Sequence, residues 1–308
     1  MKIDLQRCKV RWNPVIAASI FLVIAACDNQ QGTTDDGNTL IGEAASSDQV
    51  RIDYRVSGTN HDTTLIFIHE WLCDQTYWQN QVGYFSGRYR VVTLDLAGHG
   101  RSGDNRQKYT LDLYADDVIA VMKKIRARKV YLIGHSFGAN VAVKVALKVP
   151  KKVIAILSVD SFANLTQDYP ESEIENKIRP YQQDFRTSVK KHASLLFGNQ
   201  PDSTLVRRVV NDWASADSSM AITSMVEYLR FKPSVWTKEL TAPVYALNAA
   251  KFPANARGNQ GMLKSYKMYL LPRVGHFPQL EDPGYFNEVV KTILQESSQK
   301  PKPDRKAK

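Results

Sequence analysis

Val130-Tyr131-Leu132-Ile133-Gly134-His135-Ser136-Phe137-Gly138-Ala139-Asn140-Val141-Ala142 carries more structural information than any other stretch of this chain. Its first four residues are apolar and partly β-branched, as a strand buried on both faces requires, and the residues after Gly138 show helical periodicity. The Gly134-x-Ser136-x-Gly138 segment therefore sits where strand turns into helix. A serine held at such a bend stands above the end of the sheet. Glycines two residues before and after it remove side chains that would collide there. The plainer alternative is a tight strand-to-helix turn with an idle serine.

Outward from this stretch the pattern repeats. Upstream, Gln49 to Val56 alternates in the manner of an edge strand, Thr63 to Ile68 is a compact buried strand, and Tyr89 to Leu94 is another. Leu111, Tyr114, Val118, Val121, Met122 and Ile125 recur at helical spacing and predict a crossover helix. Strand, helix, strand implies a parallel sheet. Downstream, Val153 to Val159 is a strand with Asp160 at its end, and Ala242 to Asn248 and Tyr266 to Leu271 are the last two. Residues 163–235, by contrast, carry helical patterning, charge and aromatic residues but no strand run, which predicts a helical cap over a pocket. Tyr169, Tyr181, Phe185, Phe197, Trp213, Tyr228, Phe231 and Trp236 are available to line that pocket or to glue the cap to its base. A final helix follows Glu281-Asp282-Pro283, with Phe286, Val289, Val290, Ile293 and Leu294 on its buried face.

Taken with Phe67-Ile68-His69-Glu70-Trp71, Asp95-Leu96-Ala97-Gly98-His99-Gly100-Arg101-Ser102 and Gly275-His276-Phe277, the serine segment resembles the α/β-hydrolase superfamily, in its serine-nucleophile branch, over residues 48–298. The resemblance implies an α/β fold with a mostly parallel central sheet flanked by helices and an inserted cap. It implies Ser136 as nucleophile, His276 as its base, and the backbone N–H groups of Trp71 and Phe137 as an oxyanion hole. Glu70 departs from the family, which normally has glycine there; a carboxylate beside an oxyanion hole opposes the developing negative charge unless it points away. The family's acid usually follows the strand that ends at Asn248, yet Ala249-Ala250-Lys251-Phe252-Pro253 holds no carboxylate. Some members carry the acid one strand earlier, which here is Asp160. Asn248, a neutral hydrogen-bond acceptor, is the alternative. Asp95 and His99 read as structural, and His61, His69, His135 and His192 as structural or exposed.

A serine hydroxyl is a poor nucleophile near neutrality and needs a base within hydrogen-bonding reach, a task that suits the imidazole pKa. The implied chemistry is acyl transfer through an acyl-enzyme on an ester, thioester, lactone or amide. Serine instead of aspartate as nucleophile argues against the dehalogenase and epoxide-hydrolase branches. Two alternatives stay open: a weakly active or inactive lipoprotein of this fold that binds an envelope partner, and a C–C hydrolase or perhydrolase. No metal-ligand spacing, Walker loop or dinucleotide fingerprint is present, so no metal or cofactor is implied.

The ends of the chain read differently. Residues 1–26 combine Lys2, Arg7, Lys9 and Arg11 with an apolar run from Val15 to Ala26, the pattern of a secretory signal. Ile24-Ala25-Ala26-Cys27 resembles the bacterial lipobox, which implies lipidation of Cys27, the alternatives being simple cleavage near the alanine pair or an uncleaved anchor; Asp28 resembles an inner-membrane retention signal. The expectation is an envelope lipoprotein facing the periplasm, with residues 27–47 as lipidated cysteine and polar tether and residues 299–308 as a basic tail. The formal net charge of +10 is concentrated at the two ends. No nucleic-acid motif accompanies that charge, so no nucleic-acid partner is implied; it fits contact with anionic lipid, or simply solvated tails. Cys8, Cys27 and Cys73 are too few and too scattered for a disulfide framework.

Overall fold

The computed structural model describes residues 32–33, 39–58 and 61–298. The signal segment, Cys27, Asp28 and the basic tail all lie outside the described residues.

The strands are β1 (Gly32–Thr33), β2 (Thr39–Ala45), β3 (Arg51–Ser57), β4 (Thr64–Ile68), β5 (Arg90–Leu94), β6 (Val130–His135), β7 (Val153–Val159), β8 (Val244–Ala249) and β9 (Tyr266–Leu271). They form one sheet in the order β1-β2-β3-β5-β4-β6-β7-β8-β9. The pairs β1/β2, β2/β3 and β3/β5 are antiparallel, and every pairing from β5 to β9 is parallel.

The parallel strands β4 to β8 are buried on both faces, while β9, at the edge, exposes Lys267 and Leu270; the side chains of the inner strands sort by the period-two rule. Leu65, Phe67, Tyr131 and Ile133 face one core, while Ile66, Ile68, Val130 and Leu132 face the other. The helices between strands are α1 (Gln79–Phe85), α2 (Leu111–Lys124) and α3 (Phe137–Lys148). Val118 and Met122 of α2 and Val141 and Val145 of α3 join the second core. The first is closed by Phe85 and by the apolar stripe Phe286, Val290, Ile293 and Leu294 of the final helix. Thr110 starts α2 by accepting the Leu113 N–H, and Lys123 and Lys124 sit in its last turn, where positive charge suits the helix dipole.

Between β7 and β8 the chain makes α4 (Glu171–Gln183), α5 (Phe185–Ser194), α6 (Ser203–Ser215), α7 (Ser218–Arg230) and α8 (Pro233–Glu239). This is the expected cap. It ends four residues later than position 235, because Pro233 starts a further turn whose Trp236 is buried against Phe162 and Phe231. After β8 come α9 (Ala256–Met262), α10 (Pro278–Glu281) and α11 (Pro283–Ser298).

Two expectations are corrected at the N-terminal side. Residues 39–45, read as part of a polar tether, form β2, so the folded domain begins no later than Thr39 and not at position 48. Strand β3 is consequently not an edge; it lies between β2 and β5. The cause is a strand built from small residues. Gly42 and Ala44 point inward, and a Cβ on Gly42 would meet the Tyr54 hydroxyl at 2.5 Å, so the segment packs without the bulky apolar pattern that marks a strand. Arg106 pins it in place by binding Asp48 at 2.8 Å and Asp117 at 2.5 Å, while Ser46 donates to Asp117 at 2.6 Å.

Candidate active site

Strand order reverses between β4 and β6, and in open α/β sheets the crevice beyond the carboxyl ends of strands at such a point is where ligands bind. The residues expected to take part in catalysis lie there. Glu70 and Trp71 follow β4, Ser136 follows β6, Asp160 follows β7, and His276 follows β9.

Ser136 occupies the bend between β6 and α3 with φ 48° and ψ −108°, a left-handed conformation that costs a non-glycine residue. The bend is held from several sides. Ser136 N–H donates to Val159 O at 2.9 Å, and Ala139 N–H donates to Ser136 O at 3.0 Å. A Cβ on Gly134 would overlap the Gly138 carbonyl, and one on Gly138 would lie 2.5 Å from the carbonyl oxygens of Ile68 and His69. The two glycines thus allow the turn to close against itself and against the loop that carries Glu70.

His276 Nδ1 donates to Asp160 Oδ2 at 2.6 Å, since a carboxylate can only accept. Asp160 is itself oriented: its φ is 40°, its N–H donates to Leu247 O at 2.8 Å, and its Oδ1 accepts the Ala249 N–H at 2.7 Å. Asn248, the other candidate for this role, is buried with an Oδ1 that has no hydrogen-bond partner among the described residues. Ser136 and His276 line the same cavity, and no hydrogen bond joins them among the described residues. Catalytic hydrogen bonds of this kind commonly tighten in the complex with substrate.

The loop around His276 is positioned by residues that the sequence did not single out for this purpose. His135 Nε2–H donates to the His276 carbonyl at 2.6 Å, and its Nδ1 accepts from Gln279 Nε2 at 3.1 Å, which fixes one tautomer. Burial and the neighbouring His276 push His135 well below the usual histidine range, so it stays neutral. Glu281 receives the N–H groups of Gly198 and Gly275 at 2.8 and 3.0 Å, joining the cap to the histidine loop. His276 N–H donates to Leu196 O at 2.7 Å. The signal in the sequence was only that polar residues flank a Gly-His pair, which does not say which of them turn inward.

His69 and Asp95 are structural, as expected. His69 donates to Glu70 O at 2.8 Å and accepts the Leu96 N–H at 3.0 Å; Asp95 accepts the N–H groups of Gln75 and Arg101 at 2.7 and 2.8 Å.

Glu70 does not point away. It is buried, and its Oε1 lies 3.9 Å from His276 Nε2, the nitrogen not used by Asp160. Cys73 Sγ–H donates to its Oε2 at 3.5 Å, and its own neighbour's N–H, that of Trp71, also favours the ionised carboxylate. Burial is the largest influence on Glu70 and raises its pKa. Burial acts oppositely on His276, but the two carboxylates, Asp160 foremost, outweigh it and hold the imidazole up at about 10.

The cavity has a volume of about 380 Å³, in the range of small-ligand sites. Base residues Trp71, Phe137 and Ser136 form its floor, and Tyr181, Trp213 and Tyr228 of the cap form its walls. Three other cap aromatics serve packing, Phe197 stacking on Phe277 at 5.3 Å and Phe231 on Trp236 at 5.7 Å, while Tyr169 is exposed. Trp71 couples cap to base through its indole N–H, which donates to Ser224 Oγ at 3.0 Å.

Comparison with known proteins places this architecture. Residues 65–289 match the sequence model of the alpha/beta hydrolase family. The chain belongs to that family. A non-heme chloroperoxidase from Streptomyces lividans is 34% identical over 123 residues, 39% of this chain and 45% of that protein. The chain spans about half the length of the first curated relatives it matches. A longer match, 82% of this chain and 96% of the relative, is to 3-oxoadipate enol-lactonase 2 from Acinetobacter baylyi at 21% identity. Among solved structures, an esterase from Exiguobacterium antarcticum superposes with a TM-score of 0.72 at 19% identity, covering 82% of this chain and 98% of the other. That likeness is one of fold.

Proposed function

We propose that the protein is a serine hydrolase that cleaves an ester-like small molecule through an acyl-enzyme. One observation carries the reading: Ser136, on a strained bend, opens into the cavity that also receives His276, whose far nitrogen is bound to Asp160. In the proposed cycle neutral His276 Nε2 takes the Ser136 proton as Oγ adds to the carbonyl carbon. The Trp71 and Phe137 N–H groups hold the oxyanion, and Phe137, first residue of α3, has an N–H free of the helix ladder by position. Collapse expels the leaving group with the proton from His276; water, deprotonated by the same nitrogen, then releases the acid. Asp160 keeps the Nδ1 proton in place and stabilises the imidazolium formed in each half-reaction.

The test is hydrolysis of p-nitrophenyl acetate and butyrate by the wild type, Ser136→Ala and His276→Ala. Either variant is expected to lose about 10³-fold or more in kcat, on the scale of serine triads. Turnover that survives both substitutions removes the serine mechanism.

We further propose that Cys27 is lipidated and holds the domain at a bacterial envelope membrane on its periplasmic side, supported by the lipobox-like sequence and the basic ends. Radiolabelled palmitate should enter the full-length chain and be lost in Cys27→Ala; equal labelling of both contradicts it.

A further inference from the structure

The family's glycine after the conserved loop histidine is Glu70 here, and the structure shows where the extra carboxylate goes. It does not reach solvent. It turns into the cavity, 3.9 Å from the one imidazole nitrogen available to serine. Resting on the serine-hydrolase reading above, we propose that Glu70 is a charge gate on that serine: while ionised it keeps His276 as an imidazolium, and acyl transfer begins only when the imidazole has lost its Nε2 proton.

The surroundings leave few other charges to do this. Asp160, Glu70, His135 and His192 face the imidazole, from the ends of β7, β4 and β6 and from α5. His192 is pushed down to about 4, chiefly by burial and then by His276, and His135 lies well below its usual range, so both are neutral above mildly acidic pH. Cys73, Tyr181 and Tyr228 face the Glu70 carboxylate. Burial raises all three, the tyrosines to about 12, so none contributes charge near neutrality. Lys177 lines the outer cavity, where it is paired with Glu173 at 3.5 Å. The imidazole therefore stands between two carboxylates, one on each nitrogen. A serine triad has only the first.

The consequence is arithmetic. With the two carboxylates holding His276 up at about 10, the neutral imidazole is a small minority at pH 7. Removing the charge of Glu70 leaves Asp160 as the single partner and lowers the midpoint. Each unit of lowering raises the neutral fraction at pH 7 about tenfold.

Two measurements test this. The first is independent of turnover: the His276 imidazole is titrated by NMR in Ser136→Ala, and again in Ser136→Ala with Glu70→Gln. The expected result is a midpoint at least one unit lower with glutamine, and an unchanged midpoint overturns the proposal whatever the activity. The second is the rate of phosphonylation of Ser136 by a fluorophosphonate probe from pH 6 to 10.5 in the wild type, Glu70→Gln and Glu70→Gly. The wild type should rise steadily toward alkaline pH, while both variants should react at least tenfold faster at pH 7 and reach their plateau earlier. A wild-type profile that coincides with those of the variants refutes the gate and leaves the hydrolase standing. Absence of labelling in all three at every pH refutes the hydrolase itself. Glutamine preserves the size of the side chain, so folding and charge effects separate.

Discussion

Replacing Asp160 by asparagine is the most informative single perturbation of the site. The carboxylate makes two bonds, accepting Ala249 N–H through Oδ1 and His276 Nδ1–H through Oδ2. Asparagine can keep the first through its carbonyl oxygen, which turns its amide NH₂ toward Nδ1. A donor facing Nδ1 forces that nitrogen to accept, so the ring proton moves to Nε2, the side that must receive the serine proton. The backbone should tolerate the change, since φ is 40° at this position and asparagine enters that region more readily than most residues. In a serine triad of known mechanism the corresponding change costs about 10⁴ in kcat, or about 5.5 kcal/mol of transition-state stabilisation. A loss of about 10³- to 10⁴-fold in kcat/KM is therefore expected, carried by kcat. The comparison belongs on the alkaline plateau of each enzyme, where the imidazole is neutral, because losing the Asp160 charge also lowers the His276 midpoint. The assay is p-nitrophenyl butyrate hydrolysis over the full pH range, with thermal unfolding as the folding control. Activity within tenfold of wild type on the plateau, in a folded variant, would refute the tautomer argument. Asn248→Ala is the matched comparison: its Oδ1 bonds to nothing among the described residues, and a loss above about threefold would return the orienting role to Asn248.

Three further outcomes follow from the geometry. Gly138→Ala forces a Cβ to 2.5 Å from two carbonyl oxygens of the Glu70 loop, so it should both destabilise the fold and cut Ser136 labelling; a variant equal to wild type in urea midpoint and labelling contradicts the close approach. Arg106→Ala strands the buried Asp117 carboxylate, a loss on the scale of about 3–5 kcal/mol, readable by urea titration at neutral pH, and a change under about 1 kcal/mol would mean that Asp117 finds another partner. The folded pKa of His276, about 10, lies above its unfolded value near 6.5; stability from this group is complete below that lower value and is lost as pH rises through the folded one. The urea midpoint of His276→Gln should accordingly fall less than that of wild type between pH 7 and 10; an equal fall contradicts the raised pKa.

Much of this molecule could be read before its coordinates. The inner parallel strands announce themselves because burial on both faces demands continuous apolar runs; β7 spans the residues expected of it, and so does the half-exposed edge strand β9. The serine bend is legible because only glycine satisfies its neighbours. Asp160 could be named because the alternative loop holds no acid, and the structure sets it on Nδ1 of His276, which shares a cavity with Ser136. Strand β2 escaped detection because small inward residues leave no hydrophobic signature, and that omission also turned β3 into an apparent edge. Glu70 shows a different limit. Its identity is plain in the sequence, but whether a carboxylate swings outward to water or inward to an imidazole depends on side-chain direction, which residue spacing does not encode. His135, Gln279 and Glu281 share that limit, since their roles consist of bonds to backbone groups of one distant loop.

Mass spectrometry of the protein after reaction with a fluorophosphonate, at neutral and alkaline pH, tests the central claim most directly. A single adduct on the peptide containing Ser136, formed faster at alkaline pH, abolished in Ser136→Ala and suppressed in His276→Ala, is the predicted result. Labelling at another residue, or equal labelling of the wild type and His276→Ala, would contradict it.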